Sequence, residues 1–199
     1  MQKPINLDLF LAQFQSLGVA DKIPPEAMKA VTARLKMHEY NKKDLLARAG
    51  EVCNRWFFIG EGLVRVFYER NGEEITELLA PEGWAYTPFE SYYGGRPCEA
   101  NIEALEPCVV FTLDKEDLTE LFKDYPQLAI ITSAILKRFL MYTQHRVDSL
   151  LFETAEEKYE KLLSDIPKVL LRVPSIYVAS FLGITPETLS RVRAKMAKR

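Results

Sequence analysis

The sequence contains few of the residues on which catalytic and metal centres depend. It has two histidines, His38 and His145, and three cysteines, with no Cys-x-x-Cys pair among them. A metal-dependent oxygenase or isomerase needs a cluster such as two histidines and a carboxylate, and zinc and iron–sulfur sites need clustered cysteines. An odd number of cysteines also argues against a disulfide framework and suits a reducing compartment. We therefore expect no catalytic residues, no metal and no enzyme activity.

Long apolar runs are missing as well. No uninterrupted apolar stretch reaches the roughly 18 residues of a membrane span. The N-terminal stretch contains Asp8 and has no signal-peptide core. We expect a cytoplasmic protein with no membrane partner. With 199 residues, of which 48% are apolar and 27% charged, the chain is long enough to bury a substantial core.

The charge is distributed unevenly along the chain. The net charge is −2, yet the segment from residue 153 to the end carries nine Lys/Arg against six Asp/Glu. From Pro186 onward, Glu187 is the single acid beside five basic residues. A basic end on an acidic body indicates a polyanion partner such as DNA, although terminal charge runs also occur simply as solvated surface.

Short strands broken by glycine turns dominate residues 38–113. They are rich in Val, Ile and aromatic residues, and an Asn-Gly turn at 71–72 joins two of them as a hairpin. Regularly spaced short strands favour an antiparallel roll or barrel. Helical patterns precede this region: a helix over residues 24–37 and, before it, an apolar stripe of Leu7, Phe10, Leu11 and Phe14.

A long helix is predicted directly after the β region. Asp114 is placed to cap a helix over residues 115–125, and residues 127–152 then run for about seven turns without Gly or Pro. This long helix carries two apolar stripes, one with Leu128, Ile131 and Ile135 and one with Leu136, Phe139, Leu140 and Val147. A helix that is apolar on two faces has to be covered twice. The β region can cover one face and a second copy of the chain the other, which predicts a homodimer; the alternative is a core helix in a monomer.

The end of the chain predicts a helix, a tight turn and a second helix. Ser175 is placed to cap the first helix. Gly183 ends that helix, because glycine readily takes the left-handed conformation of a helix C-terminus. Thr185 can cap the second helix, with Pro186 at its first position. The first helix carries an apolar stripe of Ile176, Ala179 and Leu182.

Apolar and polar residues separate on the second helix. Its apolar face holds Leu189, Val192 and Met196, and its opposite face holds Glu187, Ser190, Arg191 and Ala194. Arginine can donate two hydrogen bonds to guanine, glutamate can accept one from cytosine, and serine allows the helix to approach closely. The pattern predicts a major-groove reader of double-stranded DNA. The alternative is an amphipathic helical hairpin in which Glu187 and Arg191 form an exposed ion pair.

Other polar residues of this module are placed to contact DNA phosphates. They are Ser175, Thr185, Thr188, Arg193, Lys195, Lys198 and Arg199.

Three segments resemble the Crp/Fnr transcription regulators, especially short members of the Bacteroidetes type. The segment 184-ITPETLSRVR-193 resembles their recognition helix, and 155-AEEKYEKLLSDIP-167 resembles the helix before their DNA-binding module. The segment 57-FFIGEGLVRVFYERNGEEITELLAPEGW-84 resembles the glycine-turned β-roll of a cyclic-nucleotide-binding-type domain. The resemblance implies an α+β fold, with an antiparallel, jelly-roll-like β-roll at about residues 30–115, a long dimerisation helix and a C-terminal helix-turn-helix module.

The resemblance also implies a domain division and a function. Residues 1–125 would form the N-terminal helices and effector roll, residues 126–152 the dimerisation helix, and residues 153–199 the DNA-binding module. The protein would bind a two-fold operator as a homodimer, read bases with Glu187, Ser190 and Arg191, and have RNA polymerase as a further partner. The alternative is a small-molecule-binding roll with a vestigial DNA module.

The sequence departs from the family pattern at two places, which bear on DNA affinity and on the effector. Many members continue into a β-hairpin wing, whereas this sequence ends at Arg199, so we expect DNA affinity to rest on the helix, the basic tail and dimerisation. Members that bind cyclic AMP hold its phosphate with a Gly-Glu-Leu turn and an Arg-Ser/Thr pair, and here Cys98 and Glu99 stand at that pair. A carboxylate there would repel a cyclic phosphate, although Arg96 is close enough in sequence to compensate. We expect no cofactor, and an unknown effector other than cyclic AMP, or none.

The candidate effector pocket is formed by residues around this pair. They are Glu90, Ser91, Arg96, Cys98 and Glu99. Cys98 and Cys108 bracket a predicted turn between two strands, so their thiols could approach each other. Two buried, unpaired thiols are the preferred interpretation, and a redox switch is the alternative.

Overall fold

The computed structural model describes residues 7–166 and 168–197. In chain order the elements are α1 (Leu7–Ser16), α2 (Pro25–Arg34), β1 (Lys36–Tyr40), β2 (Leu45–Ala47), β3 (Arg55–Glu61), β4 (Val64–Arg70), β5 (Glu73–Ala80), β6 (Ala85–Tyr86), α3 (Phe89–Gly94), β7 (Asn101–Ala104), β8 (Cys108–Asp114), α4 (Lys115–Asp124), α5 (Ala129–Phe152), α6 (Ala155–Asp165), α7 (Val169–Arg172), α8 (Ser175–Leu182) and α9 (Pro186–Met196). Short 3-10 turns precede α2 and α5.

The strands form two four-stranded antiparallel sheets. One has the order β1-β8-β3-β6 and the other the order β2-β7-β4-β5. The predicted hairpin joins β4 to β5, with Arg70 opposite Glu73. Asn71 and Gly72 both have positive φ, as a two-residue hairpin turn of this kind requires. The predicted α+β fold with an antiparallel β-roll is confirmed.

The buried apolar residues form three clusters. The first joins α1 and α2 to the outer side of β3 and β8, around Phe10, Phe14 and Trp56. The second fills the space between the two sheets, around Phe57, Val66 and Ile102. The third joins the roll to the C-terminal helices, because Leu63, Leu79 and Leu105 lie in one cluster with Tyr159, Val178 and Leu189. The C-terminal helices therefore pack directly on the roll. The three-part domain division itself stays a prediction.

The long helix α5 has the two predicted faces, with one residue reassigned. Leu128, which precedes the helix, is buried in the first cluster with Ile131 and Ile135. Leu136, Leu140 and Val147 are exposed, with exposed fractions of 36%, 67% and 48%. The sequence pattern placed Phe139 with them, but its ring packs 4.5 Å from that of Phe89, toward the roll. The helix turns by about 100° per residue, so Phe139 and Leu140 lie on different faces.

Two local predictions are wrong, and the side chain in a third is not described. The second helix ends at Arg34, and Lys36 already begins β1. Asp114 precedes α4 but makes no side-chain cap, because its carboxylate pairs instead with Lys36 and with Arg55. The side chain of Leu7 lies outside the described residues.

Candidate DNA-binding face

Helices α8 and α9 form the predicted helix-turn-helix. Gly183 ends α8 with φ at 65°, in the left-handed region that favours glycine. The Thr185 hydroxyl accepts a hydrogen bond from the Thr188 backbone N–H at 3.2 Å, and Pro186 is the first residue of α9. These interactions fix the start of α9, because an unsatisfied N–H of the first turn gains a partner and proline needs none.

The first helix of this pair differs from the prediction at two positions. Ser175 is the first residue of α8 rather than its cap, and its hydroxyl accepts a hydrogen bond from Arg193 at 3.1 Å. Ile176 is 61% exposed, whereas Ala179 and Leu182 are buried as predicted. The buried face of α8 also includes Val178 and Phe181. Four buried positions in five residues reflect contacts on two sides, with α9 and α6 on one and β5 on the other.

The apolar face of α9 is buried and its opposite face is exposed. Leu189 and Val192 have exposed fractions of 1% and 6%, and Met196 packs against the same cluster. Glu187, Ser190, Arg191 and Ala194 are all exposed. The helix is therefore anchored by one face while the face with mixed donors and acceptors is free to meet a partner.

The exposed face is ordered by its own side chains. The Arg191 guanidinium donates to the Thr188 hydroxyl at 3.1 Å. The Glu187 carboxylate accepts hydrogen bonds from its own backbone N–H and from Thr185, and these bonds lower its pKa below the usual range. At neutral pH this face therefore presents one anionic acceptor and one planar cationic donor a single turn apart.

The predicted phosphate-contacting residues lie around this face with partners inside the protein. Arg193 is held by Ser175, and Lys195 forms an ion pair with Glu156 of α6. Thr185 and Thr188 lie at the start of α9. Lys198 and Arg199 lie outside the described residues. A polyanion would have to compete with Glu156 for Lys195.

The module is attached to the roll by polar contacts that the sequence pattern does not indicate. Ser180 of α8 accepts from the Thr76 backbone N–H at 2.9 Å and donates to the Glu74 carbonyl at 3.1 Å. The Tyr177 ring lies 3.5 Å from the guanidinium carbon of Arg65, and its hydroxyl accepts from Lys43 at 2.7 Å. These residues are more than one hundred positions apart in the chain, so local spacing carries no signal for them.

Arg172 makes a second attachment between the same parts. It donates to Glu82 at 2.7 Å and also pairs with Glu106, and these hydrogen bonds raise its pKa. One arginine of α7 thus bridges two carboxylates of the roll, one in the β5–β6 turn and one before β8.

The candidate effector residues do not converge on one point. Ser91 is buried and its hydroxyl accepts from the Cys53 backbone N–H at 2.8 Å. Glu99 points outward and pairs with Arg70, both being more than 60% exposed. Glu90 and Arg96 are exposed, whereas Cys98 is buried. The grouping of these five residues as a binding pocket stays a prediction without geometric support.

Aromatic rings and one carboxylate occupy the inner side of the roll next to α3 and α5. The rings of Tyr86, Phe89 and Phe139 lie 4.5–5.9 Å apart. Burial raises the pKa of Glu77, and burial together with the Glu77 charge raises the pKa of Tyr68 to about 12. The region is thus crowded, and the raised pKa of Glu77 shifts that carboxyl toward its neutral form.

The three cysteines are free and buried, in agreement with the preferred interpretation. Cys98 and Cys108 do not flank a hairpin, because Cys98 precedes β7 in one sheet and Cys108 begins β8 in the other. The Cys98 backbone N–H donates a hydrogen bond to the Glu51 carbonyl at 2.8 Å, which places Cys98 beside the segment that leads to Cys53. Burial raises the pKa of Cys53, and it raises that of Cys108 to about 11, so neither thiol is activated.

Neither histidine belongs to a metal-binding cluster in the described part of the chain. His38 of β1 contacts the Thr112 hydroxyl at 3.0 Å, and His145 lies on α5. Among residues 7–166 and 168–197, no group of three or more His, Cys, Asp or Glu side chains is placed to hold a metal ion. In those residues there is also no helix with the length and apolar character needed to cross a membrane.

Comparison with known proteins identifies the roll. Residues 37–125 match the family model of the cyclic nucleotide-binding domain. The β-roll is thus similar to this domain. FixK2 from Bradyrhizobium japonicum is similar to the chain with a TM-score of 0.72 and 17% identity, over 82% of this chain and 85% of that one. A protein from Eubacterium rectale assigned to the Crp/Fnr family of transcriptional regulators is similar with a TM-score of 0.68 and 15% identity, over 90% and 87% of the two chains.

These similarities confirm the Crp/Fnr-type fold that the sequence resemblance implied, including the C-terminal helices. One curated relative is a cyclic nucleotide-gated cation channel protein of Drosophila melanogaster, which is 20% identical over 205 residues. The alignment covers all of this chain and 30% of the channel protein, so the chain spans less than a third of that relative's length. The Eubacterium rectale protein is described as a transcriptional regulator.

Proposed function

We propose that this protein is a transcription regulator that binds a two-fold operator in double-stranded DNA as a homodimer. The observation that carries the proposal is α9, which is anchored by Leu189 and Val192 and exposes Glu187, Ser190 and Arg191. The Crp/Fnr assignment of a protein with the same fold supports it.

The chemistry of the exposed face suits direct reading of bases. Arg191 can donate two hydrogen bonds to guanine O6 and N7, and Glu187 can accept one from cytosine N4. Ser190 is short enough to let the helix enter the major groove. Ser175, Thr185, Thr188, Arg193, Lys195, Lys198 and Arg199 would contact phosphates and fix the position of the helix, without reading sequence.

The exposed stripe of α5 supports the homodimer. Leu136, Leu140, Val147 and Leu150 recur at intervals of four, seven and three residues, which is the spacing of a coiled-coil seam. All four are at least 36% exposed in the single chain. Two α9 helices related by a two-fold axis would meet two half-sites, about 34 Å apart on DNA. RNA polymerase would be a further partner of the bound dimer.

We also propose that the effector, where there is one, is not cyclic AMP. Cys98 and Glu99 replace the phosphate-binding pair, and the rings of Tyr86, Phe89 and Phe139 crowd the inner side of the roll. The Ser91 hydroxyl is engaged by the Cys53 backbone. Calorimetric titration of micromolar protein with cyclic AMP should show no binding heat; saturable micromolar binding would contradict this part of the proposal.

Selection of bound DNA from a random pool tests the DNA-binding proposal. The expected result is a palindromic sequence, and Arg191→Ala should lose the preference for it by roughly 1–3 kcal/mol per half-site. Arg48→Ala is the matched control, because Arg48 is an exposed arginine of the roll and should leave binding unchanged. A folded protein that enriches no sequence would favour the alternative of a small-molecule-binding roll with a vestigial module.

A further inference from the structure

A cavity of about 480 Å³ lies where the roll, the long helix and the DNA-binding module meet. Its walls come from the end of β5 and the following turn, from the second half of α5, and from α6 and α8. Small-molecule sites in proteins have volumes of about 300–1,000 Å³ and often lie between structural units. The cavity thus has the size and the position of a ligand site, and it borders the roll interior at Trp84 and Tyr142.

The lining is apolar with an excess of positive charge. Its apolar part includes Leu79, Trp84, Met141, Leu162 and Phe181. Four cationic side chains and one carboxylate complete the charged part: Arg138, Arg146, Lys158, Lys161 and Asp165. A guest that satisfies both features has an apolar body and a negatively charged group.

The two arginines of the lining are held by hydrogen bonds to backbone carbonyls. The two lysines are held less tightly and are the cations that an anion can bind more easily. Arg146 donates to the Phe181 carbonyl at 2.7 Å, and Arg138 donates to the Gly83 carbonyl at 3.1 Å. Lys158 makes a longer contact with the Leu150 carbonyl at 3.4 Å, and Lys161 forms a partly exposed pair with Glu153. An entering anion can recruit these two flexible side chains without disturbing the walls.

The cavity stays accessible in the proposed dimer. The seam residues Leu140 and Val147 and the cavity residues Arg138, Tyr142 and Ser149 lie on faces separated by roughly 160° around the helix. Leu150, the last seam residue, also lines the cavity, so a second copy seated on the seam would reach the cavity at Leu150 without filling it. This leaves a small molecule as the occupant that matches its charge.

We propose that this cavity is a binding site for an amphipathic organic anion, namely a carboxylate carried on an apolar chain. The carboxylate would lie between Lys158 and Lys161 of α6, and the chain would lie against Trp84 and Met141. The site contacts the roll, α5 and α6 together. An occupant would therefore change how the DNA-binding module is held, and this consequence, unlike the binding itself, rests on the proposed function.

Calorimetric titration of the full chain with sodium decanoate tests the site. 1-Decanol serves as the uncharged analogue. We expect one saturable site per chain for decanoate and weaker binding of decanol. The variant Lys158→Gln/Lys161→Gln should bind decanoate about tenfold more weakly, since it loses two partly exposed ion pairs. Its affinity for decanol should not change.

Lys137→Gln is the matched control, because Lys137 is an exposed lysine of α5 that does not line the cavity. It should bind decanoate like the parent protein. Absence of saturable decanoate binding up to millimolar concentration would overturn the proposal. Equal decanoate affinity of the parent and the double lysine variant would also overturn it, as would dissociation of the dimer by decanoate in light scattering. Because binding is measured without DNA, these outcomes are independent of the operator experiment.

Discussion

Arg65 shows how strongly burial changes the energetic role of a single ion pair. Its side chain is fully buried, and it donates to Glu103, which is 7% exposed, at 2.8 Å. Glu74 adds a second carboxylate, and the Phe67 and Tyr177 rings lie at 4.0 and 3.5 Å from the guanidinium carbon. A cation in such surroundings needs its counter-charges, because it has lost its water.

Glu103→Gln should lower the free energy of unfolding by about 3 kcal/mol, since it leaves a buried arginine with one partly exposed carboxylate. Glu99→Gln provides the matched control. Its pair with Arg70 has the same 2.8 Å distance but lies on the surface, so its loss should cost less than about 1 kcal/mol. Urea denaturation of both variants measures the difference. Equal costs would mean that burial does not govern the strength of these pairs.

At the residue scale, the sequence predicted those site residues whose roles depend on neighbours along the chain. Gly183, Thr185, Leu189 and Val192 follow from the geometry of one helix and its ends. Tyr177 could not be predicted in the same way, because its partners are far away in the sequence, Lys43 in the β1–β2 turn and Arg65 in β4. Ser175 was misassigned because a hydroxyl near a helix start also satisfies a more distant donor, here Arg193.

The turn between β3 and β4 depends on glycine for a steric reason. Gly62 has φ at +89°, and a Cβ built there would lie 2.6 Å from both the Cys108 Sγ and the Pro107 carbonyl oxygen. The β3–β4 turn therefore passes directly over the start of β8. A side chain at this position would meet backbone, which cannot move aside as a flexible side chain can.

Gly62→Ala should destabilise the protein by about 3 kcal/mol, because left-handed strain adds to a clash with backbone. Gly72→Ala is the matched control, with φ at +80° and no heavy atom within 4 Å of the added Cβ. It should cost about 1 kcal/mol from strain alone. Thermal unfolding followed by circular dichroism measures both. Similar melting temperatures for the two variants would contradict the role assigned to the close approach.

At the element scale, the hairpin and the helices were predictable because their signals are local. The Asn-Gly turn placed β4 and β5, and the absence of Gly and Pro over 127–152 placed α5. The strand order was not predictable from the residues, since β8 pairs with β1 and β3 across at least 48 positions. Phe139 was assigned to the wrong face for a similar reason. The two apolar stripes of α5 are broad, so residue spacing alone does not decide to which stripe Phe139 belongs, whereas its packing on Phe89 does.

At the scale of the whole molecule, the exposed stripe of α5 would connect the fold to the geometry of the proposed operator. A single α9 helix would read one half-site, and specificity for a palindrome would require a second copy at a fixed distance. Leu140, with 67% of its surface exposed, lies in this seam. Met141 is also half exposed, but it lines the cavity between α5 and α6 instead. Two adjacent apolar residues thus serve different surfaces.

Leu140→Lys should convert the dimer to a monomer and abolish operator binding. The seam would lose two buried leucine side chains, which costs the dimer roughly 3–6 kcal/mol, and would gain two opposed cations. Met141→Lys should leave the dimer intact, because its side chain points about 100° away around the helix. Light scattering measures the mass of each variant, and a gel shift with the selected operator measures binding. A dimeric Leu140→Lys protein would place the interface on another surface, and a monomeric protein that still binds the palindrome would separate DNA recognition from dimerisation.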